Sequence, residues 1–176
     1  MRTLGPGSVS SFLKIILDVT WFLLWALLAL LAVAGVVMLL LSFNTDLIAR
    51  LDLGADFGNP ETTGPTLAAA LFGGALASGG WLLIVGQLRS IFKTLTAGDP
   101  FHPENVGRLR LIGLVLAGLA LGTYLYAMIT VLLLPGFQKF ETGFSPTTWF
   151  SVMVVFVLAE VFREGARLRN EAELTI

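Results

Sequence analysis

The sequence predicts an all-α, polytopic transmembrane four-helix bundle with both termini in the cytoplasm. Three observations carry this. Hydrophobic residues fill 56% of the 176 positions and charged residues 13%, about half the charged share of an ordinary globular domain. The apolar residues come in runs longer than the roughly 20 needed to cross about 30 Å of hydrocarbon. The cations concentrate in alternate connections between those runs. A soluble fold could not cover so much apolar surface.

The first span covers residues 15–43 and begins "IILDVTWFLL". It is too long for a signal-peptide core, and no small-residue cleavage pattern follows it. It therefore reads as a retained helix, tilted or protruding to absorb its length. The second covers residues 66–92 and is entered through Pro65, which suits a first helical turn. Gly98 can end that helix and Pro100 cannot continue it. The third span covers residues 106–134 on a helix that starts near Pro103, where Glu104 faces the positive helix end. Pro135-Gly136 stops it. The fourth covers residues 146–166, with Ser145 as N-cap and Pro146 next, and leaves the membrane as a charged helix. The first-to-second and third-to-fourth connections, of about 22 and 12 residues, are too short to build a core. Residues 1–176 read as a single integral membrane domain without internal repeats.

Orientation follows from Lys and Arg. Arg2, Lys14, Arg89, Lys93, Arg108, Arg110, Arg163, Arg167 and Arg169 fall on one side, and only Arg50 and Lys139 on the other. The positive-inside rule puts both termini and the second-to-third connection in the cytoplasm. Asp46, Asp52, Asp56 and Glu61 then lie in an outside loop.

Lipid tails are as apolar as leucine, so spans associate through close approach of small residues. The second span offers Ala70, Gly74 and Ser78, with Ala69, Gly73 and Ala77 beside them; the third offers the GxxxG pair Gly118 and Gly122. Both faces are expected to meet another helix, within the bundle or across a homo-oligomer seam.

Few polar groups lie at membrane depth. Asp18 follows Lys14 by one turn, Glu160 precedes Arg163 and Glu164 by one turn, and Gln87 lies near the end of the second span. An ionisable group in a span is a functional candidate. Pairing with a cation one turn away is the competing account for both acids. The central thirds of the spans carry no acid, base or histidine, which argues against a proton relay. There is no cysteine and one histidine, His102, which sits in a loop where a capping role outweighs a metal site. The chain shows no HExxH, GxSxG or Walker-type loop. No enzyme activity, metal or cofactor is expected, and no direct contact with nucleic acid.

The densest polar segment is "AGDPFHPENVGRLRLIG", residues 97–113. Its turn residues explain much of it, and Glu104 and Arg108 are spaced for a surface ion pair. Arg108 and Arg110 at the membrane edge could meet lipid phosphate or a protein partner. Glu104, Asn105, Arg108 and Arg110, with Glu160, Arg163, Glu164 and Arg167, form the candidate interaction cluster. The expectation is that this connection docks against the C-terminal helix and clamps the third and fourth spans together.

Gly98, Pro100, Phe101, Glu104, Asn105, Arg108, Leu109, Arg110, Ile112 and Gly113 form one pattern, and Phe162, Arg163, Gly165, Leu168, Glu171, Leu174, Thr175 and Ile176 a second. Together they resemble the bacterial four-span membrane family known as domain of unknown function 2975. That resemblance implies no established activity and no catalytic residues. It implies a multi-pass protein of the bacterial inner membrane, commonly encoded beside a small Cro/CI-type helix-turn-helix regulator. A sensor or tether acting on such a regulator is the leading reading. A small channel or transporter using Asp18, Gln87 and Glu160 is the second, and a structural or assembly subunit the third.

Overall fold

In the computed structural model, residues 9–43, 64–133 and 145–174 are described, and they form four α-helices with no strand among them. These are α1 (Val9–Leu41), α2 (Gly64–Thr96), α3 (Pro103–Leu133) and α4 (Pro146–Glu173). Three contain segments long and apolar enough to cross a membrane: Phe12–Leu41, Pro65–Thr96 and Pro103–Ile129, of 30, 32 and 27 residues. At 1.5 Å per residue these reach about 40–48 Å, more than the hydrocarbon core. α4 falls short of that standard because ionisable residues recur from Glu160 to its end and leave only its first half apolar. The expected stop at Pro135-Gly136, the outside acids Asp46, Asp52, Asp56 and Glu61, and Arg2, Arg50, Lys139, Thr175 and Ile176 lie outside the described residues.

The helix ends follow the local chemistry read from the chain. At the end of α2, Gly98 adopts φ 86°, a left-handed conformation that favours glycine. Its N–H donates to the Leu95 carbonyl at 3.1 Å, and that of Asp99 to the Thr94 carbonyl at 3.0 Å. This pair of bonds is a Schellman cap. Before α3, the His102 carbonyl accepts from Asn105 N–H at 2.9 Å and its Nδ1 from Glu104 N–H at 3.4 Å. The lone histidine thus serves as a cap. Ser145 caps α4, its hydroxyl accepting from Thr148 N–H at 3.5 Å, with Pro146 in the first turn.

Two compact units can be distinguished. The first takes in Met1–Leu23, Gly80–Ala120 and Ser145–Ile176. Its core is Ile84 of α2, Leu109 and Ile112 of α3 and Ala159 of α4, with Leu88, Val115, Leu116, Val155 and Phe162 around it. Glycines here are filled by neighbouring side chains. A Cβ built on Gly80 would lie 2.6 Å from Leu119, and one on Gly113 would lie 3.0 Å from Phe156.

The second unit takes in Leu24–Gly79 and Leu121–Phe144. Its α2 segment meets two neighbours through small residues. A Cβ on Gly73 would come within 2.8 Å of the Tyr126 ring of α3, and one on Gly74 within 3.3 Å of Leu31 of α1. Ser78 is buried and its hydroxyl donates back to the Gly74 carbonyl at 2.8 Å. Of the small-residue face expected of the second span, Gly73, Gly74 and Ser78 are in contact or buried, while Ala77 is exposed.

For the GxxxG pair of the third span, the expected contact within the bundle is corrected. A Cβ on Gly118 or Gly122 would meet nothing within 4 Å among the described residues. At 100° per residue, both lie roughly half a turn away from Leu109, Leu116 and Ala120, on the side that exposes Leu114, Leu121 and Leu125. Gly118→Leu and Gly122→Leu should each leave stability in detergent unchanged or raise it by up to about 1 kcal/mol. Gly73→Leu should cost about 1–3 kcal/mol through overpacking. A clear loss at both Gly118 and Gly122 in a thermal melt would mean that this face is covered, as in a seam between two copies.

Candidate functional site

The connection between α2 and α3 is built around one fully buried polar side chain. Asn105 has no exposed surface. Its Nδ2 donates to Thr94 Oγ1 at 2.7 Å and to the Pro100 carbonyl at 3.1 Å. Its Oδ1 accepts from Arg108 Nη1 at 2.9 Å. Both amide protons and one lone pair are thereby used, which is what allows an amide to be buried. Thr94 completes the chain by donating to the Ile91 carbonyl at 2.8 Å.

Arg108 extends this network. Nη1 also donates to the Ser90 carbonyl of α2 at 3.3 Å, and Nη2 lies 2.5 Å from Glu104 Oε2. Its side chain is only 21% exposed. The guanidinium fork therefore ties the end of α2 to the start of α3. Among the described residues its partners lie on α2 and α3, and none on the C-terminal helix. The spacing of Glu104 and Arg108 did foreshadow their ion pair.

The connection does meet α4, through residues outside the candidate cluster. Phe101 packs on Phe162 with ring centroids 5.6 Å apart. The Phe101 ring also fills the gap opposite Gly165, where a Cβ would stand 2.5 Å from it. Asp99 pairs with Arg169, 70 positions along the chain. The sequence signal for this was present: aromatic and glycine positions recur in the two patterned segments, but nothing local couples one to the other.

The rest of the cluster faces outward. Arg110 of α3 lies 3.9 Å from Glu160 of α4, and Glu160 also pairs with Arg163 one turn on. Arg167 pairs with Glu164 at 2.6 Å and approaches Glu171 at 3.7 Å. Arg110, Glu160, Arg163, Glu164 and Arg167 are each half-exposed or more. Exposed pairs of this kind contribute about 0–1 kcal/mol each, so this ladder of alternating charge does little to hold the fold. It presents guanidinium and carboxylate groups to whatever adjoins it.

The membrane-depth groups separate. Asp18 does not rely on Lys14, its helical neighbour; Oδ1 accepts from Arg89 Nε of α2 at 2.6 Å, with Nη2 at 2.6 Å from the same oxygen. The Arg89 guanidinium also lies 4.6 Å over the Trp21 ring. A cross-helix partner satisfies the acid where burial alone would penalise it. Glu160 is held by Arg163 as its spacing suggested. Gln87 is half-buried on α2 and its side chain makes no hydrogen bond among the described residues. No contact links Asp18, Gln87 and Glu160 into one polar path among those residues.

Phe101 and Asp99 thus join the two patterned segments read from the sequence. No curated protein matches the chain, and no solved structure does. The model of the family described as "Protein of unknown function (DUF2975)" matches residues 52–176, taking in α2, α3, α4 and both patterned segments, and the chain belongs to that family.

Proposed function

We propose that this chain is a four-span protein of the bacterial inner membrane that holds, or signals to, a cytoplasmic helix-turn-helix transcription regulator. The observation that carries the reading is the exposed charge ladder of Arg110, Glu160, Arg163, Glu164 and Arg167. It is built on α3 and α4, and it lies in the unit that contains every described Lys and Arg. Under the positive-inside rule that unit faces the cytoplasm. α4 crosses as the fourth span, its apolar half packed through Val155, Ala159 and Phe162 against α2 and α3. The class of partner comes from the genomic habit that the family resemblance implies. The reading assigns no reaction and needs no cofactor.

The test is recruitment of a helix-turn-helix regulator of the class that the family resemblance implies is encoded nearby, followed as a fluorescent fusion in cells. The regulator should collect at the membrane with the intact chain and return to the cytoplasm with R110E/R163E/R167E. Those side chains are exposed, so the triple variant should keep its place in the membrane. An A97C variant should be shielded from an impermeant maleimide in intact cells. A regulator whose distribution ignores deletion of the chain ends the tether reading, and external labelling at position 97 ends the orientation on which it depends.

A further inference from the structure

We propose that a notch between α1 and α2 in the first unit binds the phosphate of an anionic lipid headgroup. The notch is lined by Lys14, Leu17 and Asp18 of α1 and by Arg89, Phe92 and Lys93 of α2. Its polar groups are three cations and one acid. Asp18 occupies one edge of the Arg89 guanidinium, bonding to Nε and Nη2, and the Trp21 ring fixes its plane. The acid is thereby neutralised. Nη1 carries no hydrogen bond among the described residues.

The two lysines stand apart among the described cations. Each described arginine has a carboxylate: Arg89 has Asp18, Arg108 has Glu104, Arg110 and Arg163 share Glu160, Arg167 has Glu164, and Arg169 has Asp99. Lys14 and Lys93 have no carboxylate among the described residues, and both open onto this one notch. They are exposed, so no internal contact explains their placement. The result is a net excess of two positive charges at one place, since Asp18 is the one acid among the described residues that lines the notch and it is taken up by Arg89.

Depth and surroundings select the anion. Lys14 stands two residues inside the start of the Phe12–Leu41 segment, and Lys93 three residues before the end of Pro65–Thr96. Both are therefore at headgroup level, where lipid phosphates lie. Leu17 and Phe92 form apolar walls of the notch. A soluble phosphate would use the cations and leave this apolar surround unused. A lipid phosphodiester uses both.

The probe is phosphatidylglycerol. Purified chain in nanodiscs of phosphatidylcholine alone, or of phosphatidylcholine with phosphatidylglycerol, is melted thermally and released for lipid counting by native mass spectrometry. Phosphatidylglycerol should be retained over phosphatidylcholine and should raise the melting midpoint. K14Q/K93Q should weaken that retention by about tenfold or more, on the scale of two headgroup-level cations. Its melting midpoint in pure phosphatidylcholine should be unchanged, and K14R/K93R should keep the lipid. Equal retention by K14Q/K93Q and the parent overturns the site. A matching stabilisation by inorganic phosphate in pure phosphatidylcholine assigns the notch to a soluble anion and overturns the lipid assignment.

Discussion

Asn105→Leu should destabilise the first unit by about 3 kcal/mol, among the largest effects of any single polar substitution in the chain. Leucine branches as asparagine does but is larger, so it leaves no cavity; the loss comes from the missing hydrogen bonds, with overpacking of a fully buried site added to it. The Pro100 carbonyl loses the donor that the structure gives it, and Thr94 Oγ1 loses the amide that donates to it. Arg108 keeps Ser90 and Glu104 but loses the acceptor that orients its Nη1. Asn105→Asp should do no better. A carboxylate accepts from Arg108 but cannot donate to Pro100, and the site places it wholly out of water. Thermal melting in detergent reads both variants, and faster proteolysis within residues 97–102 should accompany the loss. A midpoint for Asn105→Leu equal to that of the parent would remove Asn105 from the centre of this network.

The second large effect has an unusual sign. Within a helix, Gly→Ala ordinarily stabilises by about 1 kcal/mol. At Gly165, inside α4, the same change should destabilise by about 1–3 kcal/mol, because the new methyl group overpacks against the Phe101 ring. The ring atoms stand 2.5 and 2.6 Å from the position the Cβ must take. Displacing the ring also disturbs its packing on Phe162 and the Asp99–Arg169 pair beside it. A double-mutant cycle isolates the cause. In a Phe101→Ala background the clash is gone, and Gly165→Ala should turn stabilising. If Gly165→Ala has the same effect with and without Phe101, the two residues are not coupled and the contact is not what places the connection on α4.

What the chain reveals by itself is local. Gly98, Pro103, Ser145 and Pro146 act on backbone groups within a turn of themselves, so helix ends could be read directly from them. The Glu104–Arg108 and Glu160–Arg163 pairs are also local. The partner of Asp18 was hidden because Arg89 is 71 positions away, and Lys14 offered a nearer cation at helical spacing. A cross-span pairing could have been suspected from two opposite charges near span ends, each costly to leave alone. Gly118 and Gly122 misled for a related reason. A helix apolar on every side carries no periodic signal to say which glycines face protein and which face outward. Gly73, Gly80 and Gly165 look no different in sequence, yet each is met by Tyr126, Leu119 or Phe101. The division of the candidate cluster was equally invisible. Asn105 and Arg108 turn inward while Arg110, two residues on, turns outward, and only the packed helices decide that.

The partners of Asn105 have a bearing on synthesis. Thr94, Pro100 and Arg108 all lie within 11 positions of it, and Ser90, which Arg108 reaches, precedes α3 as well. A nascent chain leaving the ribosome therefore possesses the entire network before Ser145, the cap of α4, has been translated. The Phe101 ring belongs to that earlier portion, whereas Phe162 and Gly165 belong to the later one. The last helix to be made thus arrives at a receiving surface whose every residue already exists.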